Sequence, residues 1–379
     1  MIDYKKTALK LHKELKGKIT VNLTTELDSK EKLSIYYSPG VGAVSDFLAK
    51  NPSETKNYTW TNNLVAVISD GSAVLGLGDI GPAAALPVME GKCMLFKHFA
   101  NINAVPIVLN VHTETEIIAA IKAIAPSFGG INLEDIAAPK CFAIEDELKK
   151  SLNIPLMHDD QHGTAIVVLA GLINACKVTK RSLSKSKIVL VGVGAAGVAI
   201  AKLLHEYTKD INIIPVDSTG IINKDRTDLN QAKKDILAFT NPNNISGSLN
   251  DALQQADIFI GVSKPNLLNE KMISTMNQNP IIFALANPDP EILPEVAKKS
   301  GAAIIATGRS DFPNQINNVL AFPGIFRGAL DNNVTEITTE HKLKAAKAIA
   351  NLVESPSSEN IIPSALDDRL VPTIAKLIV

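Results

Sequence analysis

Cysteine is almost missing from this chain: 379 residues contain Cys93, Cys141 and Cys176, spaced too widely for any CxxC pair. That spacing argues against a disulfide framework or a cysteine zinc site, so buried, reduced thiols are expected. An excess of one charge is missing too. Lys+Arg 38 against Asp+Glu 39 leaves a net charge of −1, and no field of that size recruits nucleic acid or an anionic membrane. Long apolar runs are also lacking. The most apolar stretch, 165–176, includes Gly171 and Asn174 and is too short to span a bilayer. Met1 is followed by Asp3, Lys5 and Lys6 instead of an apolar signal region, so a cytoplasmic protein is expected. Neither an internal repeat nor a low-complexity tract occurs. What remains is a chain 46% hydrophobic, long enough for two or three domains with well-buried cores.

Strands and helices alternate through the first half. Residues 4–16 read as a surface helix with a lysine face, and 33–42 (LSIYYSPGVG) as a turn forced by Pro39 and Gly40. Strands are expected at 64–69, 105–111, 129–133 and 154–157, with helices after Pro82, from Thr113 to Ala125 and from Cys141 to Leu152. A hydrophobic helix from Thr164 to Val178 opens the second half. The fold class predicted is α/β, an N-terminal α/β domain over 1–160 followed by a Rossmann-like dinucleotide-binding domain with C-terminal helices over 161–379.

The chemistry gathers between Asn132 and Thr164. Two pairs of adjacent carboxylates, Glu134-Asp135 and Asp159-Asp160, each follow a short apolar run. Either pair alone reads as a helix cap. Two pairs framing a domain junction read better as oxygen ligands of a hard divalent ion, Mg²⁺ or Mn²⁺. HDDQH places His158 and His162 four apart, as in the zinc motif HExxH, but Pro155 and the apolar run before it favour a strand and then a turn. Lys92 sits in a mostly apolar helix. It either snorkels to solvent or, desolvated, serves as a base. Two copies of GxGxxG occur. Gly76 to Gly81 is followed by Pro82 and lacks an acid twenty residues on, so it reads as a tight turn at a cleft wall. The second copy is Gly192, Gly194, Ala195, Ala196 and Gly197, between a strand and a helix, and the next strand ends at Asp217. Strand, glycine turn, helix, strand and acid at those distances describe a dinucleotide site.

With these residues in place the chain resembles the malic enzymes, in their short bacterial form. YSPGVG, GLGDIGP, PVMEGK, NLEDI, HDDQHGTA, ANPDPEI and NNVLAFPGIFRGAL carry the likeness across nearly the whole length. The resemblance implies metal-dependent oxidative decarboxylation of L-malate to pyruvate and CO₂, with reduction of NAD or NADP by a cytoplasmic homodimer. On matching positions it implies Lys92 as general base, Tyr37 as general acid, and Asp159 as the partner of Lys92. It further implies Glu134, Asp135 and Asp160 as metal ligands, and Asn287 and Asn318 as contacts to substrate and nicotinamide. Larger eukaryotic members carry an arginine where Ala73 stands here. Asp217 can accept from both ribose hydroxyls, and Ser218 and Thr219 bring no cation for a 2′-phosphate, so NAD is expected over NADP; Lys224 and Arg226 lie further along the loop. The competing readings are malolactic conversion of malate to lactate on held NAD, a metal hydrolase built on HDDQH, and a nucleotide sensor without catalysis.

Overall fold

The computed structural model describes residues 4–379, the side chain of Leu75 excepted. Two parallel sheets hold the fold together. The first contains β1 (Leu64–Ser69), β2 (Asn103–Val108), β3 (Gly130–Leu133) and β4 (Leu156–His158) in the order β2-β1-β3-β4. The second contains β5 (Lys187–Val191), β6 (Asn212–Asp217), β7 (Gly220–Ile221), β8 (Ile258–Gly261), β9 (Ile281–Ala284) and β10 (Ile304–Thr307) in the order β10-β9-β8-β5-β6-β7. Only β7 runs antiparallel to its neighbour. All of β1, β8 and β9 is buried, as an unbroken apolar run requires when helices cover both faces of a parallel sheet.

The helix Asp159–Thr179 joins the sheets and forms the spine of the molecule. Its buried positions fall all around its axis, which is the pattern of a helix enclosed by protein. By length and composition it is long and apolar enough to cross a membrane, longer than the 165–176 run suggested, yet 67% of its apolar window is buried inside the fold. Asn174, within it, donates to the carbonyls of Ala350 at 2.7 Å and Ile361 at 3.0 Å, so the C-terminal segments are tied to the spine. Another late helix, Phe322–Asp331, packs back on the first sheet. The rings of Phe322 and Phe326 lie 4.7 and 5.3 Å from that of Phe96, on the helix Pro82–Ala100.

The N-terminal segment behaves differently. The helices Tyr4–Leu15, Lys30–Tyr36 and Gly40–Lys50 contain no buried residue. The expected surface helix is there, but its leucines are exposed along with its lysines. The segment touches the body near Lys18, whose N–H donates to Glu90 at 3.2 Å and whose ammonium donates to the carbonyl of Pro87 at 2.5 Å.

Candidate active site

Parallel strands present their carboxyl ends at one edge, where the loops of an α/β sheet form its ligand crevice. Leu133 of β3 lies opposite His158 of β4, so both acidic pairs emerge side by side. Asp135 takes the left-handed region, φ +54°, which side chains other than Gly, Asn and Asp seldom occupy. That turn lets its N–H donate to Asp160 Oδ2 at 2.7 Å while its carbonyl accepts from Ala73 N–H at 3.0 Å. The loop is also pinned from β1. Ser72 Oγ accepts from Ala137 N–H at 2.9 Å and donates to Asp70 at 2.6 Å, and Asp70 pairs with Lys140. Carboxylate oxygens of Glu134, Asp135 and Asp160 consequently lie within 4.8 Å of one another. An all-oxygen, all-anionic donor set of this spread fits a hard divalent cation.

The helix begins at Asp159, four residues earlier than a turn through HDDQH would allow. Asp159 and Asp160 therefore sit in its first turn, where the unbonded N–H groups favour negative charge, while His158 occupies the N-cap position.

Lys92 reaches this edge from the helix Pro82–Ala100. It is 7% exposed, and its ammonium lies 2.6 Å from Asp159 Oδ2, 2.8 Å from Glu134 Oε1 and 4.5 Å from the centre of the Phe322 ring. The side chain points inward, which disposes of snorkelling. Burial alone lowers a lysine pKa, but the carboxylates of Asp159, Glu134 and Asp160 outweigh it and hold Lys92 above the ordinary range. Burial also lifts Glu134 and raises Asp159 to about 6, with the ammonium opposing both. Asp159 Oδ1 is buried without a hydrogen-bond partner, so Lys92 is the partner that orients this carboxylate. Gly163, one turn along, leaves it room. A methyl group there would overlap the Asp159 carboxylate and press on Asn318. Gly163→Ala is expected to lower kcat by about 10²-fold through misplacement of the lysine pair, and to lower the melting temperature too, since overpacking a buried site costs about 1–3 kcal/mol. Steady-state kinetics beside a thermal melt checks this, and unchanged kcat means that the pair tolerates displacement.

The second sheet faces the same cleft. Gly192 has φ +94°, and a side chain there would strike the carbonyl of Val262; Gly197 packs against the carbonyl of Gly192. The helix Ala195–Tyr207 thus starts hard against β5 with its free N–H groups directed outward, as a pyrophosphate requires. Gly194, Ala195 and Ala196 line a cleft of about 830 Å³ with Lys92, Asp135, Asp160, Asn287 and Asn318. Gly76 lines it too, its backbone so close to the Asn287 carbonyl that no side chain fits, and the first GxGxxG copy is a wall, as expected. Ala73 also lines the cleft, and Lys18 and His12 join Lys92 there as the basic residues.

Asp217, at the end of β6, is engaged already. Arg226 donates to both its oxygens at 2.8 and 3.0 Å, Lys233 at 2.6 Å and the N–H of Thr219 at 2.9 Å. Burial works the other way, but these donors hold its pKa down at about 2. Arg226 folds back onto Asp217, the N–H of Lys224 bonds instead to Asn244, and Lys233 is a partner that local sequence does not reveal, sixteen residues further on in a short helix capped by Asn230.

The histidines do not form a metal site. His162 Nε2 meets Glu145 at 2.9 Å and its Nδ1 meets the ammonium of Lys342 at 3.0 Å, while His158 is buried with neither ring nitrogen hydrogen-bonded. Burial pushes His162 down to about 3, so a neutral ring donating to Glu145 and accepting from Lys342 satisfies all three groups. Among the described residues the one cluster suited to a metal is the carboxylate set, and the HDDQH hydrolase reading loses its ligands. Tyr37 is the other absentee. It is 68% exposed and not among the residues lining the cleft.

Comparison with known proteins agrees with this geometry. Residues 161–372 match the family described as malic enzyme, NAD binding domain, and residues 16–118 match malic enzyme, N-terminal domain. The chain is 50% identical to the bifunctional malic/malolactic enzyme of Bacillus subtilis, over 100% of this chain and 92% of that one. It is 52% identical to the NAD-dependent malic enzyme of Geobacillus stearothermophilus, over 96% of this chain and 76% of that one. The crystal structure of an NAD-dependent malic enzyme from Thermotoga maritima superposes with a TM-score of 0.95 at 49% identity, covering 100% and 99% of the two chains.

Proposed function

The chain belongs to the malic enzyme family, and from that membership we propose that it oxidatively decarboxylates L-malate to pyruvate and CO₂ while reducing NAD or NADP. The observation that carries this reading is the buried Lys92, held between Asp159 and Glu134 beside an all-carboxylate metal set, in a cleft shared with the glycine turn. A plain 2-hydroxy-acid dehydrogenase has no use for three converging carboxylates that would hold a cation; loss of CO₂ from a carboxylate β to a ketone has.

In this reading the neutral form of Lys92 takes the C2 hydroxyl proton as hydride leaves C2 for the nicotinamide; the carboxylates alone favour the ammonium, and positive charge bound on them would favour the neutral amine. Asp159 holds the lysine nitrogen at that position. Glu134, Asp135 and Asp160 would hold a divalent cation, which when bound would supply Lewis-acid charge for the C2 oxygen. Asn287 and Asn318, which line the same cleft, orient substrate and nicotinamide, and Tyr37 returns a proton to C3. The test is purified protein with L-malate and Mn²⁺, NAD and NADP offered separately, with and without a chelator. Reduced cofactor that disappears with chelation supports the reading, and formation indifferent to the metal contradicts it. Lactate without net reduced cofactor indicates the malolactic reaction, which the Bacillus subtilis relative is also named for.

NAD is the favoured cofactor in this reading, because Asp217 accepts from ribose hydroxyls and repels a 2′-phosphate. Arg226 and Lys233 temper that preference by offsetting the carboxylate. Replacing Asp217 with serine frees both cations, and the ratio of kcat/KM for NADP over NAD is expected to rise about tenfold or more, near 1.4 kcal/mol. A wild-type preference for NADP that collapses in Arg226→Ala/Lys233→Ala reverses the assignment and identifies those side chains as a phosphate clamp.

A further inference from the structure

We propose that a second, smaller pocket beside the spine helix binds a small oxyanion, either a short carboxylate or a tetrahedral ion such as sulfate or phosphate. The pocket lies among four helices: Lys140–Ser151, the spine helix, Ala195–Tyr207 and Thr339–Asn351. Its lining shares no residue with that of the dinucleotide cleft. Its volume is about 140 Å³, below the range of about 300–1,000 Å³ usual for larger ligands. A nucleotide does not fit there, and a small ion does.

Three lysines give the pocket its character. Lys149, Lys202 and Lys342 come from three of the four helices and line one small space. Lys342 is 7% exposed. Among the described residues its ammonium has one hydrogen-bond partner, His162 Nδ1 at 3.0 Å, although an ammonium carries three N–H donors. Glu145, the buried acid of the pocket, has no lone pair to spare for the others. Its Oε1 accepts from Lys149 at 2.7 Å and the His158 N–H at 3.1 Å, and its Oε2 from His162 at 2.9 Å and Gln161 at 3.2 Å. Four donors fill the roughly four lone-pair sites of a carboxylate. The other acids of the lining, Asp146 and Glu206, are exposed, and Glu206 pairs with Lys209 at 2.7 Å. The pocket thus holds buried positive charge with donors unused.

The strain of that arrangement falls on Lys342. Burial and then the charge of Lys149 push its pKa down to about 7, with Lys202 adding to them and Glu145 and Glu336 opposing. His162 carries no charge near neutrality, since burial holds it at about 3. Val198, Ala199 and Leu203 form an apolar wall, and a wall of low dielectric strengthens the field of the charges beside it. An oxyanion seated here accepts from Lys342 and Lys202 and offsets the repulsion between them. It also favours the charged form of Lys342, so binding draws in a proton wherever the free amine is neutral. Affinity is therefore full below about pH 7 and falls as pH rises above it, by up to about tenfold per unit.

The test is calorimetric titration of sulfate and, separately, acetate into the protein saturated with NAD and Mg²⁺, at about pH 8. Neither ion titrates near neutrality, and NAD covers the glycine turn, the other natural seat for an anion. A Kd on the order of 1 mM or tighter is expected. About one proton should be taken up per ion bound, read by repeating the titration in buffers of different ionisation heat. Binding of sulfate alone identifies a tetrahedral ion as the ligand class, and binding of acetate alone a carboxylate. Lys202→Ala, at an exposed position, and Lys342→Met, which keeps the buried stem, should each weaken binding by about tenfold or more. No binding of either ion by the wild type overturns the proposal. Affinity unchanged in both variants seats the ion elsewhere, and binding without proton uptake takes Lys342 out of the site; either result overturns it too. Should Lys342→Met fail to fold, the Lys202→Ala titration and the proton uptake of the wild type decide the matter.

Discussion

Lys92→Ala is expected to reduce malate oxidation by about 10³-fold or more, near the upper range for loss of a general base. Oxaloacetate supplied from outside enters after the oxidation, so its decarboxylation should fall far less. The contrast follows from where the ammonium lies, between Asp159 at 2.6 Å and Glu134 at 2.8 Å, with an aromatic ring beneath it. Removing it leaves two buried carboxylates facing each other, and stability will drop as well, since breaking a buried charge pair costs about 3–5 kcal/mol. A melt of the variant, and assays well below its Tm, separate loss of fold from loss of base. If the folded variant oxidises malate at the wild-type rate, Lys92 is a structural counter-ion and the base is another group.

Asp160→Asn is the second large effect. Asparagine keeps the shape of the side chain, and its amide oxygen can still accept the Asp135 N–H now bonded at 2.7 Å, so the left-handed turn at Asp135 should persist. What disappears is one of three negative charges within 4.8 Å of one another. Loss even of a group that only supports a metal ligand commonly weakens metal binding or activity by about 10–100-fold, so turnover at limiting Mn²⁺ should fall by at least that much and recover partly as Mn²⁺ is raised. Titrating Mn²⁺ into the protein by electron paramagnetic resonance reads the affinity without turnover. Wild-type affinity and activity in this variant would reduce Asp160 to a first-turn helix acid.

These expectations draw unequally on sequence and structure. The dinucleotide site was legible because its signal is local: β5, the glycine turn, a helix and Asp217 follow one another within about thirty residues. The acidic pairs were legible for the same reason, each following its strand directly. Where the spine helix begins was less visible. Apolar periodicity starts at Thr164, and only the first-turn acids and the dipole of the helix extend it back to Asp159. Contacts between distant segments left no trace in the sequence. Nothing near Asp217 announces Lys233, and nothing near His162 announces Lys342, whose ammonium reaches it across 180 positions. Tyr37 is the instructive case. Two tyrosines before a Pro-Gly turn suggest packing or a cleft, and for Tyr37 the chain by itself provides neither.

The reaction as a whole is tested most directly by following carbon and hydride together. Purified enzyme is given L-malate labelled at C4, Mn²⁺ and NAD, with CO₂, pyruvate, lactate and reduced cofactor measured from the same mixture. Oxidative decarboxylation at this site predicts label released as CO₂ in equal amount to pyruvate and NADH, all three abolished in Lys92→Ala. Label retained in a four-carbon product, or CO₂ released with no requirement for a nicotinamide cofactor, would contradict it.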